Sequence, residues 1–308
     1  METIEKFENL QTTIKLNPKN FQARRELLMI CLDLGFEDVA NKHIDYLLKI
    51  FPEDADLYFN KGICYEKLKD NKNALIAYKK AVELKPNEPD FLYNLALLYE
   101  SEGFIDEAMK CLKRVIYFKK EDENAFFSIG VLFSKKNDSK NAIKCFKKAI
   151  ELNYSDYFAH FHLACEYKKI KDYDLALVEY KKVLELSSDY SWAYFNSAQI
   201  YFELNRIDDA IKMLEKTIEK NPKDKEAIKL LCQLLLKNNR VDEAGEIVSK
   251  TEKNGDLYYI TAKIAQLTED EKQYIDNLNL ALENRDSLTF NKKAIKKEYE
   301  KCKKMMKK

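Results

Sequence analysis

Residues 55–88 read ADLYFNKGICYEKLKDNKNALIAYKKAVELKPNE, residues 89–122 PDFLYNLALLYESEGFIDEAMKCLKRVIYFKKED, and residues 123–156 ENAFFSIGVLFSKKNDSKNAIKCFKKAIELNYSD. Laid over one another, the three stretches agree at fixed offsets. The strictest agreement is an alanine comb that runs well beyond them: Ala40, Ala74, Ala108, Ala142, Ala176, Ala210 and Ala244. Pro18, Pro52, Pro86 and Pro222 form a second comb with the same 34-residue tooth. A fixed period of that size is the signature of a stacked repeat architecture.

With residue 21 as position 1, seven units start at 21, 55, 89, 123, 157, 191 and 225. Each reads as two helices. Asp54, Asp122, Asp156 and Asp224 stand where an acidic cap would accept the free amide hydrogens of a first helix. That helix should stop near position 15: Gly35, Lys69, Gly103, Asn137, Lys171, Asn205 and Asn239. Five of the seven are Gly or Asn, the types that accept a left-handed cap. At about 100° per residue, positions 4, 7, 8 and 11 share one face of the first helix. They are Leu92, Leu95, Ala96 and Tyr99 in unit three. Position 8 stays small (Gly62, Ala96, Gly130, Ala164, Ala198), which lets the second helix approach closely.

Composition supports a helical stack. The 308 residues include 6 Gly and 5 Pro, too few for a fold rich in tight turns, while 34% charged and 46% hydrophobic residues suit amphipathic helices and exclude a disordered chain. No apolar run is long enough to span a membrane. The opening residues lack the basic and apolar segments of a signal peptide. Seven scattered Cys, none in a CxxC pair, fit reduced buried thiols. A cytoplasmic protein is expected. Residues 291–308 carry nine Lys and two Glu, a net of +7, which leaves −6 for the rest.

Small residues at position 8, aromatics at 11, Ala at 20, a large residue at 24 and Pro at 32 resemble the tetratricopeptide repeat. Position 24 is Ile44, Tyr78, Leu112, Phe146, Tyr180, Leu214 or Val248. The resemblance covers residues 21–254. Residues 1–20 hold a lone second-type helix with Leu10 at position 24. Residues 255–288 resemble an eighth, degenerate unit shifted four residues early, marked by Tyr258, Ala262, Leu278 and Ala281, with Tyr274 at the alanine position. In residues 289–308, Ile295, Tyr299, Cys302 and Met306 at helical spacing read as a Lys-rich capping helix whose lysines face water. The resemblance implies an all-α fold: a right-handed superhelix of about eight helix pairs, first helices lining the concave side. A single such unit cannot bury its own apolar face, so the array is stable only as a stack.

Catalytic signatures are missing: no GxGxxG, P-loop, GxSxG or HExxH occurs. No enzyme activity, metal or cofactor is expected. Of the three histidines, His160 falls at packing position 4 and His162 toward the wall.

Positions 2, 5, 6, 9 and 13 lie opposite the packing face, on what the resemblance makes the family's usual ligand wall. Position 5 is Phe59, Tyr93, Phe127, Phe161 and Phe195 in five successive units; position 6 is Asn60, Asn94, Ser128, His162 and Asn196. Aromatic and Asn residues are common there in the family without a known ligand, so packing competes with binding as the explanation. Position 9 weighs toward binding, because Ile63, Leu97 and Val131 stand where the family often has a polar residue. Asn amides can both donate to and accept from an extended peptide backbone. Phe158 and Trp192, at position 2 of units five and six, join Phe161, Phe195 and Phe202 in a reading of one aromatic anchor cluster. The alternative is a ridge packed on Tyr157 or Tyr190.

Some family members grip acidic chaperone tails with a carboxylate clamp that needs Lys at position 5 and Asn at 9 of one unit, Asn at 6 of the next, and Lys at 2 and Arg at 6 of the third. Position 2 here is never Lys and position 6 never Arg, so no such clamp is expected. Pairs such as Lys79–Lys80 and Lys147–Lys148 make an outer ridge that Glu83 and Glu151 largely neutralise. The expected function is a protein-interaction scaffold that binds a peptide or helix. Two alternatives are binding of nucleic acid or another acidic partner through the Lys-rich end, and self-assembly with the wall filled by another copy or by the chain's own terminal helix.

Overall fold

A computed structural model describes residues 2–305, and these form eighteen α-helices, one short 3-10 turn and no strand. They group into two compact units, divided between Ser155 and Asp156. The first holds α1 (Glu2–Leu16) and four pairs: α2 (Phe21–Leu34) with α3 (Glu37–Leu48), α4 (Ala55–Lys67) with α5 (Asn71–Leu84), α6 (Pro89–Ser101) with α7 (Ile105–Phe118), and α8 (Glu123–Lys135) with α9 (Ser139–Leu152). The second holds α10 (Tyr157–Lys169) with α11 (Tyr173–Leu186), α12 (Ser191–Glu203) with α13 (Ile207–Lys220), α14 (Lys225–Lys237) with α15 (Val241–Lys250), α16 (Gly255–Leu267) with α17 (Glu271–Glu283), and finally α18 (Lys292–Met305). Among the described residues, no helix is long and apolar enough to cross a membrane.

Local chemistry sets the helix ends. The side chains of Asp54, Asp122, Asp156 and Asp224 each accept an amide hydrogen from the first turn that follows. Asp70, Asp138 and Asp270 do the same for second helices. At position 15 the backbone is left-handed in all eight pairs, including Lys69 (φ 63°), Lys171 (φ 63°) and Glu269 (φ 59°). A left-handed residue with a Cβ costs about 1–2 kcal/mol. The compensation recurs in every pair, where the amide at position 16 donates back to the carbonyl at position 11. Examples are Asp70 to Tyr65 at 2.8 Å and Asp270 to Ala265 at 2.9 Å.

The combs are the core. All seven comb alanines are 0% exposed, and all seven position-24 side chains are buried. Glycine at position 8 meets the ring at position 24: a Cβ on Gly62 would lie 2.4 Å from the Tyr78 ring, and one on Gly130 would lie 2.6 Å from Phe146. The small residue therefore faces position 24 of its own second helix. In the eighth pair Tyr274 replaces alanine and points its hydroxyl at Glu298 of α18. Ile295 is buried there, with Tyr299 and Cys302 packed beside it, while the α18 lysines up to Lys304 are exposed. Met306, the next residue in that register, lies outside the described residues.

Candidate functional site

In the first unit, α4, α6 and α8 carry Phe59, Tyr93 and Phe127 at position 5. All three rings are partly buried, so none is sealed from solvent. Their inner edges do structural work. Phe59 stacks on Phe91 at 4.5 Å and touches Tyr78 at 5.6 Å; Phe127 meets Phe146 at 5.7 Å. The Tyr93 hydroxyl pairs with Ser128 Oγ at 3.2 Å, which links position 5 of one helix to position 6 of the next. Asn60 is partly buried beside Phe59. Asn94 donates its amide to the Asp90 carbonyl, one turn back, at 2.8 Å. Leu97, at position 9, is exposed. The stripe is thus half core and half surface, because a ring long enough to reach its own second helix still shows its outer edge.

In the second unit, Phe161 on α10 packs against Tyr180 at 5.8 Å and Tyr190 at 5.1 Å. Phe158 lies 4.3 Å from Tyr157 and edge-on to Tyr190 at 5.9 Å, yet remains 45% exposed. Trp192 on α12 is 56% exposed and makes a T-shaped contact with Phe195 at 6.3 Å. Packing on Tyr190 and exposure to solvent thus occur together. Phe202 does not join this cluster. Ten residues on from Trp192, it lies about 15 Å further along the same helix, where Lys237 Nζ sits 5.9 Å from its ring centre.

The amide ladder is partly occupied by the protein itself. Asn196 donates to the Trp192 carbonyl at 2.8 Å, and its oxygen accepts from Lys168 Nζ at 2.9 Å. Lys168 also donates to Gln199 Oε1. Burial holds the Lys168 ammonium below the usual lysine range. Sequence reasoning missed this lysine. It sits at position 12, where neighbouring units have Glu100, Ser134 and Phe202, so no repeat pattern singles it out. His162 is partly buried against the Phe161 ring at 5.9 Å, and burial, more than any charge, pushes its pKa down. His160 is buried with Nδ1 2.7 Å from Glu179 Oε2, a structural tie from α10 to α11. The lysine ridge is ion-paired along α5, α9 and α11: Lys80–Glu83 at 3.0 Å, Lys148–Glu151 at 2.9 Å and Lys182–Glu185 at 2.8 Å.

Burial raises the Cys31 thiol to about 11 and the Cys64 and Cys232 thiols to about 12, so all three are protonated and unreactive at neutral pH.

Tetratricopeptide repeat models match residues 55–88, 77–113, 123–156, 171–231 and 208–257, together more than half of the chain. Among solved structures, MamA is 25% identical, with 54% of this chain and 96% of MamA covered at a TM-score of 0.51. YrrB, described as a TPR protein with an unusual peptide-binding site, is 24% identical over 60% of this chain and 95% of its own, at a TM-score of 0.52. The C-terminal part of a TPR repeat-containing protein from Cytophaga hutchinsonii is 17% identical over 74% of this chain and 93% of its own, at a TM-score of 0.62. No curated protein matches the chain.

Proposed function

We propose, from the premise that this chain belongs to the tetratricopeptide repeat family, that it is a non-catalytic scaffold binding a partner peptide or helix on the wall made by its first helices. One observation carries this reading: Phe158 and Trp192, large rings at position 2 of successive repeats, are both about half open to water. Large aromatics that stay exposed beside a packed floor are the side chains that dominate binding energy when a partner covers them. The floor is formed by Phe161 and Phe195, held by Tyr180 and by Trp192 itself. Lys168, Asn196 and Gln199 supply a fixed polar edge for a partner's backbone. No three consecutive units carry the full set of clamp residues, so this reading does not extend to acidic chaperone tails.

The test is capture of partners by the intact chain, compared with the Trp192→Ala/Phe158→Ala double variant. Both changes are at exposed sites, so the melting temperature should stay within a few degrees. Loss of two anchor rings should weaken a captured partner by about 2 kcal/mol or more, roughly 30-fold. A partner retained equally by both proteins refutes the assignment.

A further inference from the structure

The wall does not stay open through the last two helix pairs. Position 5 of unit seven is Lys229 on α14. Positions 2 and 5 of unit eight are Asp256 and Tyr259 on α16. Upstream, the corresponding side chains include Trp192 and Phe195. Here the chain's own linker, residues 288–291 between the 3-10 turn Arg285–Ser287 and α18, lies on these three residues.

The linker enters extended, with Leu288 at φ −100° and ψ 107°. Asp256 Oδ1 accepts the Thr289 amide at 2.6 Å and the Phe290 amide at 3.4 Å, and Oδ2 accepts the Thr289 hydroxyl at 2.7 Å. Lys229 Nζ donates to Thr289 Oγ at 3.2 Å and lies 3.6 Å from Asp256 Oδ2. The Phe290 ring rests 4.8 Å from Tyr259. Leu288 is buried against Gly255, where a Cβ would fall 2.4 Å from the Asn284 carbonyl. Asp256 is itself buried, and a buried carboxylate is stable only when so paired. The linker does not fill the floor. Beside Phe290 a hollow of about 320 Å³ remains, lined by Gln233, Leu236, Lys237, Tyr259 and Leu267.

A wall carboxylate takes main-chain amides while alternate side chains go to a floor and to a ring, which is how an extended peptide is read. We propose that Asp256, Lys229 and Tyr259 form a peptide-reading site that the chain fills with its own Leu288–Thr289–Phe290. With the linker withdrawn, the site takes an extended partner segment of apolar, hydroxyl, aromatic order. This rests on the reading of the wall as a binding surface, but not on the Phe158–Trp192 cluster. A tethered segment acts at an effective concentration of order millimolar, so a free peptide at micromolar concentration is excluded until the tether lets go.

The probe is a fluorescent peptide with the sequence of residues 284–291, NRDSLTFN, read by anisotropy against the full chain. The Thr289→Ala/Phe290→Ala variant alters an exposed residue and a partly buried one, and should bind the peptide at least tenfold more tightly than the unaltered protein. Adding Asp256→Ala should abolish that gain. Equal binding by the variant and the unaltered protein, or a gain indifferent to Asp256, overturns the proposal. Amide exchange gives a second readout. Asp256→Ala should speed exchange at Thr289 and Phe290 at least tenfold and leave α18 unchanged; uniform acceleration across α16–α18 makes the linker mere end-cap packing and also overturns it. Since no natural partner is needed, a partner indifferent to Phe158 and Trp192 would sink the cluster reading and leave this test standing.

Discussion

Gly62→Ala adds one methyl group to a helix interior, where it normally stabilises by about 1 kcal/mol. Here the added Cβ would lie 2.4 Å from both Cδ1 and Cε1 of Tyr78, far inside the 3.5–4.0 Å at which carbon atoms ordinarily rest. The ring cannot swing away freely, because Tyr78 is 1% exposed and its hydroxyl donates to Glu66 at 2.8 Å. Overpacking of this kind costs about 1–3 kcal/mol. Unit five seats Ala164 and Tyr180 at the same two positions, so a helix pair can open enough to hold both. That argues for the lower half of the range, and after the helix gain the net expectation is a loss of up to about 1 kcal/mol. Gly245→Ala on α15 is the control, since nothing lies within 4 Å of its Cβ; it should stabilise by up to about 1 kcal/mol. Urea unfolding followed by circular dichroism reads both. Tyr78→Leu recreates the Ala96–Leu112 pairing of unit three, so Gly62→Ala in that background should be neutral or stabilising, with a coupling of at least about 1 kcal/mol. Equal effects of the two glycine changes, or additivity with Tyr78→Leu, would refute the idea that position 8 is selected by the ring at position 24.

Lys69→Gly and Lys171→Gly, at exposed left-handed turns, should each stabilise by about 0.5–1 kcal/mol in the same assay. Asp138→Ala removes the cap of α9 and should cost about 1 kcal/mol. His43 Nδ1 sits 2.9 Å from Arg24 Nη1. Burial first, and then the Arg24 charge, lower its pKa from 6.5. The unfolded chain therefore takes up the proton first, so stability is full above pH 6.5 and declines as pH falls below it. The melting temperature should drop between pH 7.5 and 5.5, and less so in His43→Gln. An acidic peptide ending in a free carboxylate should not bind at micromolar concentration, and peptide binding on the wall should vary little with salt, unlike phosphate binding.

The order of the helices, their ends and their buried faces were legible in the sequence because each depends on residues a few positions apart. An alanine every 34 residues, an aspartate before a helix and a glycine or asparagine after one act locally, and the repeat multiplies the signals, sevenfold for the alanine, fivefold for the glycine or asparagine and fourfold for the aspartate before a first helix. The same reasoning set Phe158 and Trp192 at adjacent wall positions, and both are exposed. It went wrong at Phe202, since position counting names a face of a helix but not a place along it. It was silent on Lys168, whose partners Asn196 and Gln199 lie 28 and 31 residues away. It offered the chain's own terminal helix as one filling of the wall, but not the linker residues 288–290 that cover Asp256 and Tyr259. Those contacts arise from how one segment settles on another about 30 residues or more distant, where no period constrains the side chains. The close packing of Gly255 against Asn284 and Leu288 exists only once the last helix pair is docked. Periodicity specified which surfaces exist, and tertiary packing decided which of them remain open.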